Sequence, residues 1–379
     1  MKIVLIGTTA ESMINFRETL IKSIVSLDNE VFCLAIDYDE EQKEKIKKLG
    51  ATPIQYQLSR SGLNPFIDIK NTLKLAKQLN NIEPNIVLSY FSKPSIYGSF
   101  AAKLAKIPKI FAMLEGLGFC FTLQEKGISW KRIFLKSIQV LLYRITLPKI
   151  NGLILLNPDD KIDLVDKYKI NVKTFVLGGI GLNLNDYKFA FIPKKNNISF
   201  IFIARLLKEK GIFEYINAAK IVKKKYPEAT FNVLGNIDFS NPGSISKEQL
   251  DELNNSGIIT YPGFVNNVNE WLKNSDVFVL PSYYREGVPR STQEAMAIGR
   301  PIITTNVPGC KETVHDGKNG FLVPPWSAEI LAEKMIFFIK YPEYIERMGL
   351  ESYKIARKKY DCHKVNKKLI NILGIDNSL

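Results

Sequence analysis

Two glutamates, Glu286 and Glu294, stand with seven residues between them across a strand-to-helix turn. The apolar run Val277-Phe278-Val279-Leu280 reads as a buried strand. It ends at Pro281-Ser282, and Tyr283 to Pro289 carries the chain to a helix opening near Ser291. A loop that leaves the carboxyl end of a strand and feeds a helix offers free amides at the positive end of the helix dipole, which suits a diphosphate. Each acid also has a purely structural reading. Ser291-Thr292-Gln293-Glu294 matches the S-x-x-E capping box, and Glu286 could be a solvated loop acid.

Upstream, the strand-like run ending Phe202-Ile203-Ala204 stops at Arg205, and Lys210 opens the next helix. A guanidinium grips a diphosphate bidentately, and an ammonium five residues on adds a point charge from the other side. The alternative is two surface cations. A third acid, Glu115, follows the expected strand Lys109 to Met113 and precedes the turn Gly116-Leu117-Gly118. That position suits a group orienting an acceptor hydroxyl or acting as a base; pairing with nearby lysines is the competing reading. Asp37-Tyr38-Asp39 has a form that could hold a divalent cation. It precedes Glu40-Glu41, however, and reads better as the acidic start of a helix, so no metal site is expected.

The elements needed to position these groups are legible as alternating short apolar runs and helix-length segments. Strands are expected at Lys2 to Ile6, Glu30 to Ile36, Asn85 to Ser89, Lys109 to Met113, Gly152 to Leu156 and Thr174 to Leu177. Helices are expected at Asn64 to Asn80 and Ile96 to Lys106. The polar stretch Asn183 to Asn197 reads as an interdomain linker. Beyond it, strands are expected at Ile198 to Ala204, Thr230 to Leu234, Ile258 to Thr260, Asp276 to Leu280 and Pro301 to Thr305. Helices are expected at Ile212 to Tyr226, Ser246 to Asn254, Val268 to Asn274, Ser291 to Ile298 and Ala328 to Phe338. Continuous apolar strands alternating with helices predict an α/β protein with two doubly wound, Rossmann-like parallel-sheet domains, 1–190 and 191–379, whose strand C-termini face one cleft.

Composition narrows the partners. The 379 residues fit two domains better than one, and a net charge of +14 implies an acidic partner. Four scattered cysteines and two histidines, His315 and His363, support neither a disulfide framework nor a zinc site, and a reducing cytosol fits. The apolar run Ile3 to Ile6 is too short for a signal-peptide core. No run reaches the roughly 18 apolar residues of a membrane-spanning helix, so a soluble or surface-bound protein is expected. Residues 93–149 hold ten basic residues against Glu115 and Glu125 only. From Lys126 to Pro158 no acid occurs, and Trp130, Lys131, Arg132, Phe134 and Lys136 mix bulk with unopposed charge. This composition fits a helix lying on anionic lipid; the plainer reading is a helix covering a sheet. A nucleic-acid partner has no recognition motif behind it.

Glu286-Gly287-Val288-Pro289, Glu294-Ala295-Met296-Ala297 and Gly299-Arg300-Pro301 together resemble the signature of the retaining, nucleotide-sugar-dependent glycosyltransferases of family 4, E-G-x-P-x4-E-A-M-A-x-G-x-P. The resemblance implies a GT-B fold and, near the last helix, a possible return of the chain to the first domain. It further implies that Arg205 and Lys210 hold the donor diphosphate, that Glu294 binds the ribose, and that Glu286 stands beside the donor sugar as the catalytic carboxylate. Gly287, Val288, Pro289 and Ser291 would complete the donor loop, and the Tyr261-Pro262-Gly263-Phe264-Val265 segment would place Phe264 and Val265 at the nucleobase. Ile14-Asn15-Phe16-Arg17 and Leu114-Glu115-Gly116-Leu117-Gly118-Phe119 are similar to bacterial members that build lipid-linked oligosaccharides and O-antigen units. On that basis Gly7, Thr8, Arg17 and Gly116 fall on the acceptor side and Glu115 joins the catalytic set. Two departures stand out: the first loop reads Gly7-Thr8-Thr9-Ala10 in place of a Gly-Gly pair, and no histidine precedes His315.

The function implied is metal-independent transfer of an N-acetylhexosamine, with GalNAc from UDP-GalNAc as first choice, to a sugar on undecaprenyl diphosphate. The expected location is the cytoplasmic face of the inner membrane. The alternatives are a UDP-GlcNAc 2-epimerase-like enzyme, disfavoured by the scarcity of histidine, and a basic nucleic-acid-binding protein.

Overall fold

The computed structural model describes residues 1–59, 65–125, 127, 129–191, 197–239, 241 and 243–375. The chain divides into two units. One holds Met1–Cys120, Ile128–Ile180 and Cys362–Leu379; the other holds Phe121–Gly127 and Gly181–Asp361. Residues 181–190 therefore group with the second unit, although the sequence reading sets them with the first.

In chain order the first unit contains β1 (Lys2–Ile6), α1 (Ala10–Val25), β2 (Glu30–Ala35), α2 (Glu40–Lys48), β3 (Ala51–Gln55), α3 (Pro65–Ile82) and β4 (Ile86–Tyr90). It continues with α4 (Ser92–Leu104), β5 (Lys109–Leu114), α5 (Trp130–Thr146), β6 (Gly152–Leu155), α6 (Pro158–Asp160) and β7 (Thr174–Val176). The seven strands form one parallel sheet in the order β3-β2-β1-β4-β5-β6-β7. Helices on both faces bury Ile3 to Ile6 and Ile86 to Leu88 completely, which is why these strands are apolar without alternation. The chain builds outward from β1 to β3, then crosses back to lay β4 on the other side of β1. The β1/β4 boundary is thus the switch point at which such sheets bind ligands.

The second unit contains β8 (Ser199–Ile203), α7 (Ile212–Lys223), β9 (Thr230–Leu234), α8 (Lys247–Asn255), α9 (Val268–Asn274) and β10 (Val277–Leu280). There follow α10 (Arg290–Ile298), β11 (Ile302–Thr305), β12 (Gly320–Val323), α11 (Ala328–Lys340) and α12 (Glu343–Lys359). Its five strands are parallel in the order β12-β11-β10-β8-β9, with the switch point between β8 and β10. The final helix, α13 (Cys362–Leu373), belongs to the first unit. Asn366 Nδ2 donates to Thr19 Oγ1 of α1 at 3.1 Å, and Lys368 Nζ donates to Val176 O at 2.7 Å.

Most expected strands recur with the same bounds or with ends shifted by one residue. Ile258 to Thr260 is reduced to a single bridge between Asn232 and Thr260. Two edge strands were not expected. β3 carries Pro53, tolerated because an edge strand leaves one side unpaired. β12 begins at Gly320, where an added Cβ would lie 1.8 Å from Ile302 O.

Of the expected linker, residues 192–196 lie outside the described residues, and 183–191 are fastened to the second unit. The fully buried Arg300 donates from Nε to Leu272 O at 2.9 Å, from Nη1 to Ala190 O at 2.9 Å and from Nη2 to Lys273 O at 3.0 Å. Burial pulls its pKa down to about 10, so the guanidinium stays charged at neutrality. Beside it the Phe189 ring fills the space where a Cβ on Gly299 would sit, 2.4 Å away.

Candidate active site

At the β8/β10 switch point the second unit gathers a compact cluster. Lys210, in the turn after β8, forms an ion pair with Glu286, in the loop after β10, and both side chains are largely buried at 14% and 12% exposure. Lys210 Nζ also lies 5.0 Å from the centroid of the Tyr284 ring. Ser282 Oγ is 3.2 Å from both Glu286 Oε1 and Glu209 O, and its one proton can serve either. The amides of Tyr283 and Tyr284 donate to Glu209 O at 3.0 Å, locking the two loops together. Gly211 makes this approach possible. Its φ is +82°, and a Cβ there would lie 2.2 Å from Pro281 O. Gly309 does the same from below: with φ +84°, a Cβ would meet Glu286 O at 2.5 Å and Gly287 O at 2.7 Å.

Two helix N-termini open beside the cluster without a side-chain cap: α7 behind Gly211 and α10 behind Pro289. The capping-box reading of Glu294 is therefore overturned. Pro289 occupies the cap and starts the helix at Arg290, so Ser291 falls inside the first turn and the S-x-x-E spacing is out of register. Glu294 Oε1 instead accepts from Arg290 Nε at 3.0 Å and from Tyr187 Oη at 2.8 Å. Burial, with the Glu294 charge second, pushes the Tyr187 phenol well above its ordinary pKa. Gly287, Val288 and Pro289 are buried, and Val288 O accepts from Gln293 Nε2 at 3.1 Å. Arg205 follows the end of β8, is half-exposed and pairs with Asp238 at 3.7 Å. Phe264 is exposed and Val265 half-buried, on a loop tied to the end of β9 through Tyr261 Oη to Gly235 O at 3.1 Å.

The first unit gathers a second cluster at its own switch point. Arg17 of α1 and Glu115 after β5 form an ion pair at 3% and 10% side-chain exposure. The guanidinium lies 4.4 Å above the ring of Tyr90, the last residue of β4. Gly7, after β1, leaves room for that tyrosine, since a Cβ would sit 2.4 Å from its Oη. Thr8 O accepts from Ile36 N at 3.0 Å. Gly116 and Gly118 both have positive φ, 106° and 71°, giving the backbone turn that follows the glutamate. Glu115 thus pairs with an arginine distant in sequence, not with the lysines near it.

Asp37 accepts the Ala10 amide at 2.7 Å, and Asp39 caps α2 in a capping box with Gln42. Both acids serve backbone amides. Sequence reasoning missed Tyr90, Tyr187, Ser282, Tyr284 and Gly309. For these the only signal was position, at a strand end or in a loop beside a motif.

On α5, Trp130 is 72% exposed and Lys131 is exposed beside it, with Nζ 5.8 Å from the Trp130 ring centroid. Lys136 is half-buried. Arg132 must be withdrawn from the outward-facing set: it is buried, its guanidinium lies 4.2 Å from the Phe119 ring, and it donates to Phe119 O. Among the described residues no helix is long and apolar enough to cross a membrane.

Residues 185–355 match the family model of glycosyl transferases group 1. Over 352 residues, covering 90% of each chain, the protein is 31% identical to N,N'-diacetylbacillosaminyl-diphospho-undecaprenol alpha-1,3-N-acetylgalactosaminyltransferase of Campylobacter jejuni. It is 28% identical to UDP-Gal:alpha-D-GlcNAc-diphosphoundecaprenol alpha-1,3-galactosyltransferase of Escherichia coli, over 68% of this chain and 66% of that one. Among solved structures, Anabaena HepE in complex with UDP superposes with a TM-score of 0.75 at 17% identity, covering 99% of this chain and 100% of that one. Sucrose-phosphate synthase from Thermosynechococcus elongatus does so with 0.77 at 14%, covering 98% of each. The fold is GT-B, two α/β units each on an all-parallel sheet. With its motif loops gathered at the second switch point and this similarity running almost end to end, the chain belongs to the group 1 glycosyl transferases.

Proposed function

We propose that the protein is a retaining, metal-independent family 4 transferase that moves GalNAc from UDP-GalNAc to a sugar on undecaprenyl diphosphate, in the assembly of a surface or protein-linked glycan. The observation that carries the reading is the Lys210–Glu286 pair, set between two uncapped helix N-termini at the β8/β10 switch point. Helix amides and an ammonium are the groups that offset charge on a departing nucleoside diphosphate. Lys210 and Arg205 take the diphosphate, Glu294 the ribose, and Phe264 and Val265 the base. Glu286, released from Lys210 when the diphosphate arrives, acts at the donor sugar. Glu115 and Arg17, with Gly7, Thr8 and Gly116 around them, serve the acceptor. The sugar and lipid follow the names of the Campylobacter and Escherichia relatives, and the UDP donor has the additional support of the HepE complex. The basic, apolar outer face of α5 lies on the anionic cytoplasmic leaflet.

The test is a panel of UDP-sugars with short-chain polyprenyl diphosphate sugars, following product mass and the anomeric configuration of the new bond, with and without a chelator. An α-linked GalNAc product formed equally well in chelator is expected. No product across the panel, together with no UDP binding by calorimetry, would sink the reading.

A further inference from the structure

The helices α3 and α5 flank α4 in the first unit, and both carry apolar residues on the side turned away from the sheet. On α3, Leu75, Ala76 and Leu79 face the core, while Phe66, Ile69 and Leu73 form a second stripe at i, i+3, i+7 that is 84%, 57% and 58% exposed. On α5 the outward stripe is Phe134, Leu141 and Ile145. Each helix thus carries, besides the face that packs on the unit, an exposed apolar stripe interleaved with cations such as Lys70 and Arg144, the composition of a face that lies on a surface rather than in open water. Between the stripes lies an apolar cavity of about 140 Å³, lined by Ile69 and Leu73 of α3, by Ile96, Tyr97 and Phe100 of α4, and by Ile145 of α5, among others. A dry apolar cavity of roughly that size accommodates a hydrocarbon of about six carbons.

The charge around the face is of one sign. Lys70 adjoins Ile69, Lys103 adjoins Leu104, and Arg144 adjoins Ile145. Lys149 lies 5.6 Å from the ring of Phe100 in the cavity wall. All four are exposed, and none forms an ion pair among the described residues. Lys93, by contrast, spends its charge on the buried Asp68 at 3.4 Å.

From this juxtaposition we propose that the groove between α3 and α5 takes up one acyl chain of an anionic bilayer lipid, with the flanking cations on its headgroups. The membrane-docking face is then built by two helices and a socket, not by α5 alone. A bilayer is favoured over a single soluble lipid because the stripes extend beyond the groove and need cover along both helices. The inference rests on the membrane reading above and extends it to α3.

The experiment uses the full chain and vesicles of phosphatidylglycerol and phosphatidylcholine whose acyl chains are brominated. With Trp271 and Trp326 left in place and the Trp130→Phe parent measured alongside, the emission that a Leu73→Trp reporter adds to that parent is expected to fall by at least about half on anionic vesicles and little on neutral ones. The double variant Ile69→Asp, Leu73→Asp is expected to lower partition onto anionic vesicles by roughly tenfold or more. Its turnover on a water-soluble, short-chain acceptor is expected to be unchanged, which also reports that it folds. Absence of quenching, or unchanged partition of the double variant, overturns the proposal. Quenching relieved by a soluble short-chain prenyl diphosphate would assign the groove to the acceptor and overturn it as well. Vesicle results as expected from a chain that turns over no sugar donor would sink the transferase reading and leave this one standing.

Discussion

Both units bring a carboxylate and a cation together at the switch point of a parallel sheet, yet the two pairs are built differently. In the first unit Arg17 stacks on Tyr90, donates to its neighbour's carbonyl and meets Glu115 with almost no exposure. A planar guanidinium held on three sides is a fixture. In the second unit Lys210 is a point charge on a flexible stem, seated between Glu286 and a tyrosine ring beside two open helix ends. An ammonium can exchange a carboxylate for a phosphate by turning a few bonds. The first pair is therefore suited to holding a carboxylate in place, and the second to handing one over.

The sharpest way to break this comparison is Glu286→Gln. Under the proposed assignment turnover falls by about 10³-fold while donor affinity changes little, as initial rates and calorimetry would report. Near-normal turnover would remove Glu286 from the chemistry. Next, Arg17→Ala strands a buried carboxylate, and chemical denaturation should show a loss of about 3–5 kcal/mol. Lys210→Ala should destabilise less and instead weaken UDP binding by about tenfold or more; equal stability losses at the two sites would erase the distinction between fixture and exchangeable pair. Smaller again, Tyr187→Phe removes one hydrogen bond from Glu294 and should change the donor KM by less than about tenfold with kcat kept. Smallest is a null result at Cys310, a buried thiol whose Sγ lies 3.7 Å from Ser282 O and which burial pushes up to about 12. Thiol titration of the native protein at mildly alkaline pH should label no more than Cys120, the one cysteine with partial exposure.

Much of the candidate site was legible because its framework is local: a strand, a tight turn and a helix start within a dozen residues, so the loops that bear Glu286 and Lys210 and the helix from Val268 to Asn274 could be placed from pattern, while the roles expected of the two side chains came from the family resemblance. What escaped was set by distant backbone. The capping box at Ser291 failed because Pro289 took the cap, and Glu294 found its partners in Arg290 and in Tyr187, more than 100 residues earlier. Arg17 meets Glu115 only through the parallel register of β1, β4 and β5. Arg132 shows the limit of composition: its neighbours are exposed, but helical phase turns it inward onto Phe119. The glycine and arginine at 299 and 300, read as part of a signature, turn out to be structural as well: Arg300 ties the Leu272 and Lys273 carbonyls of α9 to Ala190 O, and Gly299 leaves room for the Phe189 ring.

The placement of α13 bears on how the protein is made. The first unit lacks a helix until residues beyond Cys362 have been synthesised, because Asn366 and Lys368 complete contacts with α1 and β7. The second unit is continuous from Gly181 to Asp361 apart from the short insertion Phe121–Gly127. On the ribosome, then, the first unit has its seven strands early but waits for α13, so the unit translated later is the first to have all its elements available.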